Sequence, residues 1–252
     1  MPVMDEFREE REAMKQKSFK EKLLYFWDYY KWHVIGGAAL IALATSLIYS
    51  IVTHKDFAFY GAFLNSYQAP GYETFREEFA ERAGIDLQKY DVMLDTDMYI
   101  TLNSYDQGTV NAAERLMVYI AAGDIDVMAS DQTTMNRYAY NQTFKDLREF
   151  LPEELQDELS PYYYYIDGAL ASEIAQQQEN GTLTDNPQYP ADPTDIDNMK
   201  DPIPVGLYIQ DCPRIQDAFL FQEDKVVLSV IGNVTETQDV LEFIRYVFGI
   251  DS

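Results

Sequence analysis

Residues 110–129 read VNAAERLMVYIAAGDIDVMA, and this stretch decides the fold class. Val110, Ala113, Met117, Ile120 and Ala121 recur at helical spacing, which predicts one apolar helix face. Gly123 stands where a helix can end in the left-handed conformation that only glycine adopts without a Cβ penalty. Ile125–Ala129 then forms a short apolar run of strand length. A helix, a glycine stop and a buried strand make up half of a crossover unit.

The same alternation extends in both directions. Upstream, Phe57–Leu64 (FAFYGAFL) reads as a buried aromatic strand. Tyr72, Phe75 and Phe79 follow at helical spacing after Pro70-Gly71, and Tyr90–Leu94 is a second strand. Downstream, Pro152 can open a short helix carrying Leu155 and Leu159. Tyr162–Ile166, Ile203–Tyr208 and Val226–Ile231 read as strands. Thr235 and Gln238 have capping-box spacing, and Val240, Ile244, Val247 and Phe248 line a closing helix. Residues 168–180 fit a helix or a hairpin equally. Residues 181–204, with five prolines and many Asp and Asn, read as a long surface loop. The pattern predicts an α/β domain with a mainly parallel or mixed sheet.

Before this domain, Val34–Val52 (VIGGAALIALATSLIYSIV) contains no charged residue. Nineteen helical residues span roughly 28 Å, the thickness of bilayer hydrocarbon. A soluble core helix of that length would carry a polar stripe, and a cleaved signal would be shorter and closer to the N-terminus. The expectation is a single-pass transmembrane helix over 34–52, with a cytoplasmic and interfacial segment over 1–33 and an extracytoplasmic domain over 53–252. Lys15, Lys17, Lys20, Lys22 and Lys31 lie on the N-terminal side and only Lys55 lies close on the other, which puts the N-terminus in the cytoplasm. Ser18 and Glu21 have capping-box spacing. Phe19, Leu23, Phe26 and Tyr30 share a face, and Trp27, Tyr29, Tyr30 and Trp32 form an aromatic belt, so 18–32 reads as an interfacial helix leading into the bilayer. Residues 1–17 are charged and fit either a helix or a disordered segment.

The charge is distributed unevenly. Seven of the 19 Lys and Arg and seven of the 43 Asp and Glu precede residue 53, so the whole formal charge of −24 lies beyond it. Such a domain offers no basic patch for nucleic acid. One cysteine, Cys212, precludes an intramolecular disulfide. With only His33 and His54 besides, no four-ligand zinc set of Cys and His is possible. The two histidines flank the span, so a Ser-His-Asp arrangement has only His54 to draw on. Asp211 beside Cys212 argues against a reactive thiol. No Gly-rich phosphate loop is present. The expectation is a non-enzymatic protein without a cofactor or metal.

The run from Ile120, IAAGDIDVMASDQTTMNRYAYNQTFKDLREFLPEEL, resembles a segment of bacterial extracellular solute-binding proteins. There a helix ends at a glycine, a strand carries an Asp-hydrophobic-hydrophobic signature, and a short helix and a Leu-x-Asp-Leu-like turn follow. Gly123, Asp126-Val127-Met128 and Phe144-Lys145-Asp146-Leu147 fill those places. Val226–Phe248 resembles the closing strand and helix of that family. The resemblance implies ligand binding and a role accessory to a membrane transporter. That family has two lobes, and the 37 residues between Tyr165 and Ile203 are too few for a second one. The chain therefore reads as a shortened, transmembrane-anchored version. The alternative is a protein-interaction or scaffold subunit of a membrane complex, without a small-molecule site.

Open α/β sheets bind ligands beyond the carboxyl ends of their strands. That rule nominates Asn65, Ser66, Asp95, Asp97, Ser130 and Asp131, with Tyr67, Tyr140 and Tyr208 as stacking faces. Asp95, Asp97 and Asp131 should share one end of the sheet. Clustered carboxylates favour a cationic or neutral hydroxylated ligand over an anion.

Overall fold

The structure is a computed structural model that describes residues 18–53, 55–182, 189–190, 192–235 and 237–251. The expectations for residues 1–17 and His54, and part of the loop expected over 181–204, lie outside these residues. So do the side chains of Glu21 and Tyr29, on which the first capping box and part of the aromatic belt rest. The chain divides into two units, Met1–His54 and Lys55–Ser252.

Among the described residues of the first unit, the helix α1 runs from Phe19 to Thr53. The expected interfacial helix and the expected span are therefore one continuous element. Nothing between Tyr30 and Ile35 breaks a helix, and Gly36-Gly37 only weakens it. Within α1, Tyr30–Tyr49 is long and apolar enough to cross a membrane, and none of its described side chains is buried. Phe26 and Tyr30 stack at 5.0 Å.

The second unit is mixed α/β. Its strands are β1 (Asp56–Phe63), β2 (Ser66–Gln68), β3 (Tyr90–Asp95), β4 (Val127–Asp131), β5 (Tyr163–Asp167), β6 (Pro202–Tyr208), β7 (Phe219–Phe221) and β8 (Val226–Val230). Six of them form one sheet in the order β3-β1-β4-β8-β6-β5. β3, β1 and β4 run parallel, while β8 is antiparallel to β4, β6 to β8 and β5 to β6. The sheet is thus mixed, with a parallel half joined by helical crossovers and an antiparallel half. β2 and β7 pair separately as a small antiparallel ribbon that the sequence did not announce.

The helices of this unit are α2 (Tyr72–Ala83), α3 (Gln107–Ala122), α4 (Gln132–Ala139), α5 (Leu147–Phe150), α6 (Glu153–Leu159), α7 (Gly168–Glu179), α8 (Pro213–Ala218) and α9 (Thr237–Phe248). Residues 168–180, open between helix and hairpin, are helical. Gly123 ends α3 at φ 79°, its N–H donating to the Ile120 carbonyl at 3.1 Å and the Asp124 N–H to the Tyr119 carbonyl at 3.0 Å. The apolar face of α3 is rotated by one position from the expected one. Leu116 is buried, Ala112, Ala113, Tyr119 and Ile120 pack against the core, and Met117 faces out. Helix α9 places Val240, Phe243, Ile244, Tyr246 and Val247 inward. Thr235 precedes that helix with Glu236, outside the described residues, between them.

One face of the parallel half is built from rings. Phe59 stacks on Phe243 at 4.7 Å and Phe63 on Phe219 at 4.0 Å, while Phe79 meets Phe243 edge-on at 5.0 Å. Aromatic pairs of this geometry add stabilisation beyond their buried area. Phe63, Val127, Val227 and Ile244 are fully buried, as the apolar pattern requires.

Both sheet edges are blunted. On β3 the Tyr72 hydroxyl donates to the Leu94 carbonyl at 2.9 Å, and the Val92 N–H donates to Asp91 Oδ1 at 2.9 Å. On β5 the Tyr165 N–H donates to the Pro193 carbonyl at 3.1 Å, so part of the proline-rich loop shields that edge. Edge groups satisfied in this way offer little to an incoming strand.

Candidate functional site

The strand-end residues divide into two groups with opposite characters. The first group is closed. Asn65 follows β1 in the left-handed region at φ 55°. Its Nδ2 donates to the Ile100 carbonyl at 3.1 Å, to Asp131 Oδ2 at 3.0 Å and to Thr134 Oγ1 at 3.2 Å. Its Oδ1 accepts from the Ile100 N–H at 2.8 Å. Asp131 caps α4: its Oδ1 accepts from the Thr134 N–H at 2.7 Å, and its Oδ2 also accepts from Ser130 Oγ at 3.1 Å. Ser66 Oγ donates to the Phe63 carbonyl at 2.7 Å. Ser66, Ser130 and Asp131 are buried. These side chains serve each other and the backbone, so they form an internal clamp and not a ligand surface. Tyr208 belongs to the same interior: its hydroxyl donates to Gln132 Oε1 at 2.7 Å, and its ring meets Tyr164 edge-on at 5.9 Å. Burial, and then the charge of Asp192, holds its phenol well above the usual range.

Tyr140 is also interior. It accepts the Asp167 N–H at 3.1 Å and faces Tyr189 at 4.8 Å. Burial pushes its pKa up to about 12. Tyr67 is exposed and packs on Tyr99 at 5.2 Å, beside Leu220 across the small ribbon. Cys212 is buried, and burial followed by the charge of Asp211 raises its thiol to about 11. That thiol is protonated at neutral pH and poorly nucleophilic.

The second group borders a cleft, where Asp97 is exposed and the Asp95 side chain is 11% exposed. Asp95 and Asp97 line a cleft of about 320 Å³ whose walls include Phe57, Tyr60, Tyr72, Arg115, Tyr119 and Asp124. This size is at the small end of the range for ligand sites. Tyr60 and Asp95 both reach the cleft because the register sets Tyr60 opposite Met93 and Ala62 opposite Asp95 on neighbouring strands. Arg115 and Tyr119 are one turn apart on α3 and project together. Asp95 Oδ2 accepts from the Tyr60 hydroxyl at 2.9 Å and from Arg115 Nη2 at 3.1 Å, and its Oδ1 accepts from the Asp97 N–H at 2.8 Å. Burial first, and then the neighbouring Asp95 charge, holds the Tyr60 phenol protonated far above its ordinary range. Arg115 Nε is buried without an acceptor. Tyr60 and Tyr119 face each other at 5.7 Å, and Phe57 lies 5.5 Å from Tyr60. Asp97 and Asp124 are exposed at the rim.

The expected convergence of Asp95, Asp97 and Asp131 at one ligand site is therefore corrected. The structure brings the first two together and assigns Asp131 to a helix cap. Among the described residues no three His, Cys, Asp or Glu side chains are grouped to hold a metal ion. Sequence reasoning did not nominate Tyr60, Tyr72, Arg115, Tyr119 or Asp124. Arg115 carried a signal, as one of only 12 basic residues among 36 acids beyond residue 52, one helical turn before a tyrosine. No protein-family model, curated protein or solved structure matches the chain.

Proposed function

We propose that the chain is a single-pass membrane protein whose second unit is a non-enzymatic, extracytoplasmic binding module. In this reading it resembles a shortened solute-binding protein and acts as accessory to a transporter in the same bilayer. The observation that carries it is the cleft in which the strand-end carboxylates of Asp95 and Asp97 meet the rings of Tyr60, Tyr72 and Tyr119. A concave site with an apolar floor and a few fixed polar groups suits a small ligand. Asp95 is held in place by a phenol and a guanidinium, which suits recognition better than proton transfer. The length and apolarity of Tyr30–Tyr49 support the anchor, and the lysines before it support a cytoplasmic N-terminus.

The scaffold reading has one observation in its favour, the exposed Tyr67–Leu220 pair on the β2–β7 ribbon. A single experiment separates the two. Full-length protein is extracted from membranes and analysed by native mass spectrometry, alongside Tyr119→Ala and a Tyr67→Ser/Leu220→Ser double variant. The binding reading expects a small molecule that is lost in Tyr119→Ala. A co-purifying protein that tolerates Tyr119→Ala and is lost in the double variant would replace it with the scaffold reading.

A further inference from the structure

We infer that the cleft takes a linear oligoamine, an elongated organic cation with amines at separated positions along an alkyl chain. This deepens the cleft reading above and rests on it. The argument begins with charge. Asp95 and Arg115 neutralise each other at 3.1 Å. That leaves Asp97 and Asp124 as the carboxylates on the cleft wall that have no cationic partner there. Anionic ligands would meet two uncompensated negative charges in a domain that is already strongly acidic.

Placement comes next. The two carboxylates lie at different levels along the strands. Asp97 is beyond the Ala62–Asp95 pairing, downstream on the sheet. Asp124 is upstream of the Gly61–Val127 pairing. Among the described residues no three His, Cys, Asp or Glu side chains are grouped to hold a metal ion there. A ligand that satisfies both must carry its charges apart. The same wall carries the Tyr60–Tyr119 pair, with ring centroids 5.7 Å apart, and Phe57. Such rings attract ammonium groups through their faces and cover methylene chains through apolar contact. Two separated carboxylates and an aromatic wall in one cleft match a chain of methylenes bearing separated amines.

The test uses full-length protein in lipid nanodiscs, with isothermal titration of spermidine, glucose, glutamate and Ca²⁺. The expected result is one spermidine per chain and no heat from the other three. Asp97→Asn and Asp124→Asn should each weaken spermidine binding about fivefold, the loss of one partly exposed charge pair. Tyr119→Leu should weaken it about threefold through the lost ring face. Because the domain is acidic throughout, Glu153→Gln/Glu154→Gln on α6 is the control and should bind as the parent does. Equal weakening in that control would show diffuse charge attraction and overturn the proposal. One-to-one binding of glucose or glutamate that is lost in Arg115→Ala would also overturn it, while leaving the cleft as the binding site. No binding of any probe would overturn the oligoamine proposal, and the cleft reading would stand or fall on the co-purified molecule and its loss in Tyr119→Ala.

Discussion

Replacing Asn65 with alanine removes the clamp that joins the end of β1, the backbone at Ile100 and the start of α4. The two Nδ2 hydrogens, shared among three acceptors at 3.0–3.2 Å, and the acceptor of the Ile100 N–H at 2.8 Å disappear. The Ile100 N–H loses its acceptor. Asp131 Oδ2 keeps only the Ser130 hydroxyl among its side-chain donors. Net losses of about 1 kcal/mol for a neutral bond and about 1.5–3 kcal/mol for one to a charged group apply here. The backbone adds to this. Residue 65 sits at φ 55°, where alanine costs about 1–2 kcal/mol more than residues suited to the left-handed region. Water can replace part of the loss at this half-buried site, so the expected total is about 3–5 kcal/mol. For a unit of this length that lowers the melting temperature by about 10 °C. Asn65→Gly separates the two causes, because it loses the same bonds and tolerates the same φ. It should melt above Asn65→Ala. The assay is thermal unfolding of full-length protein in detergent, followed by near-ultraviolet circular dichroism. An Asn65→Ala variant that melts with the parent, or a glycine variant less stable than the alanine one, would refute the reasoning.

The remaining predictions concern the core, the anchor and alkaline pH. Phe63→Ala removes a fully buried ring stacked on Phe219 and should cost about 3–5 kcal/mol, measured by urea unfolding of the second unit's tertiary signal. Leu43→Arg near the centre of Tyr30–Tyr49 should cost about 2.5–3.5 kcal/mol of insertion, and carbonate-washed membranes should retain less of it. Protease added to intact spheroplasts should digest residues beyond 53 and spare an N-terminal tag; a protected C-terminus would reverse the orientation. Burial holds Tyr72 and Tyr140 at a pKa of about 12, above the 10.0 of a free tyrosine. Their stabilisation is whole below pH 10 and is lost as pH rises through 12, because the unfolded chain ionises first. Phenolate absorbance at pH 10–12 should lag behind that of the urea-unfolded chain, and coincident titrations in a still-folded protein would contradict the burial.

The parts of the fold that the sequence disclosed are those with local causes. Gly123 stops α3 because its own backbone takes a positive φ, and the buried strands around Phe59, Val127 and Val227 follow from short apolar runs. Strand direction was less visible, because β8 lies between β4 and β6 through contacts remote in sequence, and nothing within Val226–Val230 marks it as antiparallel. The face of α3 was misplaced by one residue for a similar reason. Met117 and Leu116 are equally apolar, and only the position of the sheet decides which one is buried. The ribbon of β2 with β7 joins residues 66–68 to 219–221, and neither three-residue segment is long enough to show a period.

The strand-end acids show why half of the candidate site was legible. Asp95 and Asp131 both close a parallel strand, and residue type alone does not distinguish them. Their difference lies in what comes next. Helix α4 begins at Gln132, immediately after Asp131, so the carboxylate meets the free N–H of Thr134 and becomes a cap. Residues 96–106 separate Asp95 from α3, and Asp106 caps that helix, accepting the Thr109 N–H. Asp95 is thereby spared the capping role. β3 is also an edge strand, with no neighbour beyond it to close the rim. α3 returns over one face only and brings Arg115 and Tyr119 to that rim. A strand-end carboxylate is spared the capping role when a loop, and not a helix, follows it directly. In this chain that condition leaves Asp95 to accept from Tyr60, Arg115 and the Asp97 N–H, and commits Asp131 to the cap of α4.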